Sequence, residues 1–111
     1  MKIFNYKEVD LKKAEEGSQN LYVRWLITKD MGAEHFAMRL FEMEIDGYSP
    51  KHKHPWEHEV FILQGTGVIY SQEQEKSFKS GDVIFIPANE EHQLRNTGKE
   101  TVIFLCLIPF L

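Results

Sequence analysis

Short runs of β-branched and aromatic residues recur along this chain, with turn residues between them about every ten positions. That rhythm restricts the fold to an all-β sandwich or barrel. Leu21–Thr28 and Phe36–Ile45 are the first two predicted strands. The second changes phase, from Phe36, Met38 and Leu40 to Phe41, Met43 and Ile45. Such a change predicts a bulge or a bend from one sheet to another. Glu59–Leu63 and Val68–Tyr70 flank Gln64-Gly-Thr-Gly67, which reads as a tight hairpin. Lys76–Lys79, the turn Ser80-Gly81-Asp82, Val83–Ile86, the corner Pro87–Glu91, His92–Asn96, a turn at 96–99 and Thr101–Ile108 complete the series. The best helical candidate, Val9–Glu16, is short and runs into Gly17.

The 111 residues fit one domain, with an N-terminal arm over about 1–20. A net charge of −4 without a basic stripe argues against nucleic acid. No apolar run reaches the roughly 20 residues that span a bilayer, and the first seven residues are too polar for a signal-peptide core. A cytoplasmic location is the expectation. Cys106 is the single cysteine, so an intrachain disulfide and an all-cysteine zinc site are both excluded.

Chemistry concentrates in the histidines. His52, His54 and His58 fall in the run Lys51-His-Lys-His-Pro-Trp-Glu-His-Glu59, and His92 follows thirty-four residues after His58. His52 and His54 point to one face of an extended backbone. Pro55 disfavours helix at His54 and suggests a turn that lets His58 return from the next strand. Imidazole is a common metal ligand, and three histidines in this spacing before an apolar strand outweigh the alternative of a charged surface loop. His35 lies outside the pattern. No phosphate-binding glycine loop or nucleophile elbow competes.

The chain resembles the cupins. Their first motif is matched by Gly47, His52, His54 and Gly65, with His58 where a glutamate normally stands; the second is matched by Gly81, Pro87, Asn89, His92 and Asn96. The motifs thus occupy 47–65 and 81–96, and the likeness covers roughly positions 40 to 108. Asn89 replaces a glycine, a change that asparagine's tolerance of left-handed backbone can absorb. The wording around His52–Glu59 is similar to that of small single-domain manganese cupins with four histidine ligands.

The resemblance implies a double-stranded β-helix, or jelly-roll, barrel of two packed antiparallel sheets. It implies one divalent metal held by His52, His54, His58 and His92, with manganese as the ion. Ligand softness points instead toward iron, nickel, copper or zinc, and these stay as alternatives. Four neutral imidazoles leave the ion its full double charge, favouring anionic ligands and polarised carbonyls. Arg39, Phe104, Cys106 and Ile108 are candidate pocket residues around a small-molecule ligand. Arg39 either orients a substrate carboxylate or faces solvent on an edge; Cys106 either lines the pocket or is a small buried hydrophobe. Glu57 and Glu59 either hold histidine N–H groups or are solvated, and Trp56 is expected to pack beside the metal loop.

A metal-dependent oxygenase or other oxidoreductase acting on a small enolisable or unsaturated molecule is the leading functional expectation. The alternatives are a non-catalytic metal or small-molecule binding or sensing module, or an isomerase. The resemblance also implies a homodimer, because the apolar end Ile108–Leu111 needs a cover.

Overall fold

Alternating side chains and short turns produce nine strands in the computed structural model, which describes residues 1–110. They are β1 (Lys12–Lys13), β2 (Gln19–Ile27), β3 (Phe36–Tyr48), β4 (His58–Gln64), β5 (Thr66–Ser71), β6 (Gln74–Lys79), β7 (Val83–Ile86), β8 (His92–Asn96) and β9 (Val102–Pro109). The strand order is β6-β5-β8-β3-β9-β4-β7, with β2 on the other side of β3 and β1 beyond it. Every pairing is antiparallel. The sheet curls so that β1, β2, β3, β9, β4 and β7 form one layer and β6, β5 and β8 the other, the two-layer barrel that the strand rhythm implies.

Two local readings of the sequence need correction. Val9–Glu16 is not a helix: it contains β1 (Lys12–Lys13), and the nearby 3-10 turn, Tyr6–Glu8, lies before it. Gly17 stands at φ +88, a conformation that ends any helix there. The tight hairpin expected at Gln64–Gly67 is instead a corner between layers. β4 pairs with β7 and β9, whereas β5 pairs with β6 and β8. Gly65, at φ +92, lets the chain turn against Val102; a Cβ there would stand 2.9 Å from Val102 Cγ2. The true hairpin joins β5 to β6 through Gln72 and Glu73, at φ +49 and +62. Two consecutive left-handed residues match the twist of paired strands, but neither residue type announces that turn.

The irregularity predicted by the phase change in β3 is present, as register shifts against β2 and a bend between layers, but the bend lies further along the strand. Its pairing with β9 runs unbroken from Phe36 opposite Pro109 to Met43 opposite Val102. Ala37, Arg39, Phe41 and Met43 face inward, while Phe36, Met38 and Leu40 belong to the outer face of the same strand. The bend comes later, at Asp46 (φ +64), before Tyr48 pairs with Arg95 of β8. One strand therefore serves both layers.

Core residues come from both layers: Leu21, Val23, Phe41, Met43, Val60, Ile62, Ile86, Val102 and Phe104 from one, Phe78 and Leu94 from the other. Phe41 and Phe104 stack at 5.0 Å. Asn96 is the polar tie. Its amide donates to Met43 O and Glu100 O, and its oxygen accepts from Gly98 N, all at 2.9 Å. Asn96→Ala leaves these buried groups without partners and is expected to cost about 2–3 kcal/mol. A urea midpoint equal to that of the wild type would contradict this. Leu111, at the apolar end thought to need a cover, lies outside the described residues.

Candidate functional site

The segment between β3 and β4 carries His52 and His54, and it is held against β8 by backbone pairing. Ser49 N donates to Leu94 O at 2.9 Å, and Ser49 Oγ accepts from Leu94 N at 2.8 Å. His52 and His92 exchange backbone hydrogen bonds of 3.2 and 2.9 Å. Asn89 N donates to His54 O at 2.6 Å, and Asn89 stands at φ +65, the left-handed conformation its residue type tolerates. His58 opens β4 and His92 opens β8, each turned inward by the strand alternation. Two segments far apart in sequence thus bring four histidines to one end of the barrel.

The rings gather closely. Centroid distances are 4.2 Å for His52–His54, 5.0 Å for His52–His92, 5.0 Å for His58–His92 and 5.4 Å for His54–His58. They line a cavity of about 50 Å³ with Arg39, Phe41, Val60, Phe104 and Cys106. A wider cleft of about 410 Å³ opens beside it, sharing Arg39, Phe41, His54 and His58 and adding Trp25, Trp56 and Ile108. The larger groove of about 470 Å³ beside β6 and β7 contains none of the histidines.

Burial lowers the proton affinity of these rings. The His58 pKa is pushed down to about 3, first by desolvation and then by the charges of His92 and Arg39. That of His52 falls to about 4, again mainly by desolvation, then by His54 and His92. His54 is also lowered by burial, partly offset by Glu15. All three are therefore neutral imidazoles at pH 7, the form that binds metal. Unfolded histidines take up protons below pH 6.5, but the folded ones resist until about pH 4 and 3. The unfolded state then binds more protons, so stability falls as pH drops below 6.5 and keeps falling toward pH 3. Urea midpoints of the metal-free protein are expected to hold steady above pH 6.5 and decline toward pH 4. A flat profile across that range would contradict the burial of His52 and His58.

His58 Nε2 is buried and has no hydrogen-bond partner. His92 Nδ1 lies 2.9 Å from Glu90 O; a carbonyl can only accept, so Nδ1 carries the proton and Nε2 keeps its lone pair. His58 Nδ1 lies 3.4 Å from Cys106 Sγ. Among the described residues, however, no three His, Cys, Asp or Glu side chains already stand in a metal-binding arrangement. His54 is stacked flat on Trp56 at 4.3 Å with 5° between the planes. The residues present fit a divalent ion by chemistry and proximity.

Arg39 is not a solvent-facing edge residue: it is buried at 9% exposure and faces the cavity. Phe104 and Cys106 lie on the interior face of β9, at 4% exposure each, and Ile108 lines the outer cleft. Burial raises the Cys106 pKa against the opposing pull of Arg39, so Cys106 is a thiol rather than a thiolate. His35 is on the surface, 3.7 Å from Glu34 and away from the cluster. Glu57 and Glu59 are exposed and make no hydrogen bond to a histidine among the described residues. The histidine ring nitrogens instead meet the Glu90 carbonyl and Cys106 Sγ, and the Glu15 carboxylate lies 3.9 Å from His52 Nδ1. Glu15 comes from the N-terminal arm, where nothing in the local sequence ties it to His52.

Residues 39–108 match the cupin domain family model, a range that contains all four clustered histidines. The oxalate-binding protein of Thermotoga maritima is 39% identical over 61 residues, covering 54% of this chain and 50% of that protein. The chain thus spans about half the length of that curated relative. Among solved structures, the polyketide cyclase RemF from Streptomyces resistomycificus superposes with a TM-score of 0.92 at 31% identity, over 98% of this chain and 79% of that one. A predicted oxalate decarboxylase from Thermotoga maritima gives a TM-score of 0.85 at 25% identity, over 99% and 100% of the two chains.

Proposed function

This chain belongs to the cupin domain family, and from that premise we propose that it is a metal-dependent enzyme acting on a small enolisable carbonyl compound. His52, His54, His58 and His92 would hold one divalent ion, manganese in this reading. The observation that carries it is the buried, partnerless Nε2 of His58 within a cluster of four histidines of which His52, His54 and His58 are kept neutral by burial. A divalent ion held by neutral donors supplies Lewis acidity toward a carbonyl oxygen.

The chain's own residues do the rest. Phe41, Val60 and Phe104 wall the inner cavity with apolar surface and exclude water from it. Cys106 accepts a hydrogen bond from Arg39 Nη2 at 3.0 Å and backs the His58 ring. Glu90 O fixes the proton of His92 on Nδ1. The cleft between Trp25 and Trp56 admits a molecule larger than the inner cavity. The lone thiol suits a reducing compartment, and we place the protein in the cytoplasm.

Two outcomes are open to such a substrate. Dioxygen insertion is the oxygenase outcome, which a cationic metal in an apolar barrel would serve. The likeness to a polyketide cyclase favours ring closure without dioxygen. Manganese-loaded protein should be offered 1,3-diketones, flavonols and poly-β-ketone analogues with and without air. Consumption that requires dioxygen supports the oxygenase; equal consumption without it supports ring closure or isomerisation. No turnover across the panel with metal bound would overturn the enzyme reading and leave a binding module.

A homodimer belongs to the same proposal. Phe61, Leu63, Val83 and Phe85 stand exposed on the outer face of β4 and β7, with Val83 at 72%. Phe61 and Val83 are direct partners across the two strands, so the patch is continuous. Light scattering at micromolar concentration is expected to give twice the chain mass; a monomer would contradict this.

A further inference from the structure

Arg39 carries a full positive charge into the barrel with no carboxylate to meet it. Among the described residues the one ion pair of an arginine or lysine joins Arg24 to Glu42; no carboxylate lies against Arg39. Its Nη2 donates to a thiol sulfur at 3.0 Å, a weak acceptor for a guanidinium. Its Nε is buried without any partner. The rest of its surroundings are aromatic: the guanidinium carbon lies 5.3 Å from the Trp25 ring centroid and 4.9 Å from that of Phe41. A buried charge so poorly satisfied is costly, and such sites persist where a ligand completes them. The position is fixed from below, because Arg39 and Cys106 are direct partners across β3 and β9.

We propose that Arg39 is a substrate-positioning residue that binds a planar organic anion, a carboxylate or the enolate of a β-dicarbonyl, through its guanidinium edge. The proposal rests on the enzyme reading above and names its substrate class. The planar fork of guanidinium matches two coplanar oxygens. Arg39 lines both the inner cavity and the outer cleft, so an anion held there has its oxygens beside the histidines and its body between Trp25 and Trp56. A neutral analogue would leave the guanidinium unmatched, which sets the specificity.

The test uses the full chain, metal-free and manganese-loaded, titrated with benzoate, acetylacetone and the neutral control benzamide. Binding is read by calorimetry and by the fluorescence of the two tryptophans. Benzoate or acetylacetone is expected to bind at least about tenfold tighter than benzamide. Arg39→Met should remove that preference while leaving manganese stoichiometry unchanged, and Arg39→Lys should keep part of it. With both titrated at a pH above acetylacetone's own pKa, so that each is an anion, whichever depends more on Arg39 identifies the source of the charge. Equal binding of benzoate and benzamide, or undiminished anion binding by Arg39→Met, overturns the proposal. So does failure of both anions to bind either form of the wild type. Anion binding to metal-free protein that depends on Arg39, in a chain that takes up no manganese, would sink the metal reading alone. Cys106→Ala is the second variant should Arg39→Met not fold: it releases Nη2 without removing the charge, and must retain the preference for the anion.

Discussion

Replacing His58 with alanine is expected to lower manganese affinity by at least about a hundredfold, since even partners behind a metal ligand are worth ten- to a hundredfold. Stoichiometry after dialysis, read by elemental analysis, would show the loss. His58 is the sharpest test because its Nε2 is buried with no partner, so an ion is the one acceptor of its lone pair that the site's chemistry suggests. His58→Gln keeps most of the side-chain volume and separates loss of a ligand from loss of packing. His35→Ala, at a fully solvated position beside Glu34, should change nothing. Equal losses in the two alanine variants, or none in either, would sink the four-histidine assignment.

The largest loss of stability is expected at a position with no chemistry. Gly67 lies in β5 between β6 and β8, paired with Phe78 on one side and Asn96 on the other. A Cβ at this residue would overlap the carbonyl oxygen of Arg95 and stand 2.5 Å from Cζ of the buried Phe78 ring. The carbonyl belongs to the neighbouring strand and cannot swing aside like a surface side chain, so the two strands must separate. Gly67→Ala is expected to destabilise the fold by about 3 kcal/mol or more, the upper end of overpacking effects. Chemical denaturation measures it directly. A loss under about 1 kcal/mol would mean that β5 and β8 can part easily at this point.

What could be read in the sequence divides along physical lines. Strand positions follow from local side-chain preference, and Val83–Ile86 and His92–Asn96 need no adjustment. The meeting of His52 and His54 with His92 was legible because motif spacing encodes which segments converge. Strand partners were less legible. Gln64-Gly-Thr-Gly67 has the residues of a hairpin, yet its neighbours separate into different layers, since glycine permits a corner as readily as a reversal. Gln72 and Glu73 make the real reversal without any residue that favours it. Arg39 looked like an edge charge because apolar residues flank it on both faces of β3. Its burial depends on β9 and β2 closing around it, which no local pattern expresses. The link from Glu15 to His52 was equally hidden, because it is a contact between the arm and a loop thirty-seven residues on.

β9 follows every other strand in the chain, yet it lies between β3 and β4. Until residues 102–109 have left the ribosome, β3 and β4 have no common neighbour, and Arg39 lacks the sulfur that steadies it. The growing chain must therefore keep its apolar strands from associating wrongly until β9 emerges. The cavity, on the same ground, is walled only after its histidines: all four precede β9 in the chain, and Cys106, which backs His58, follows them.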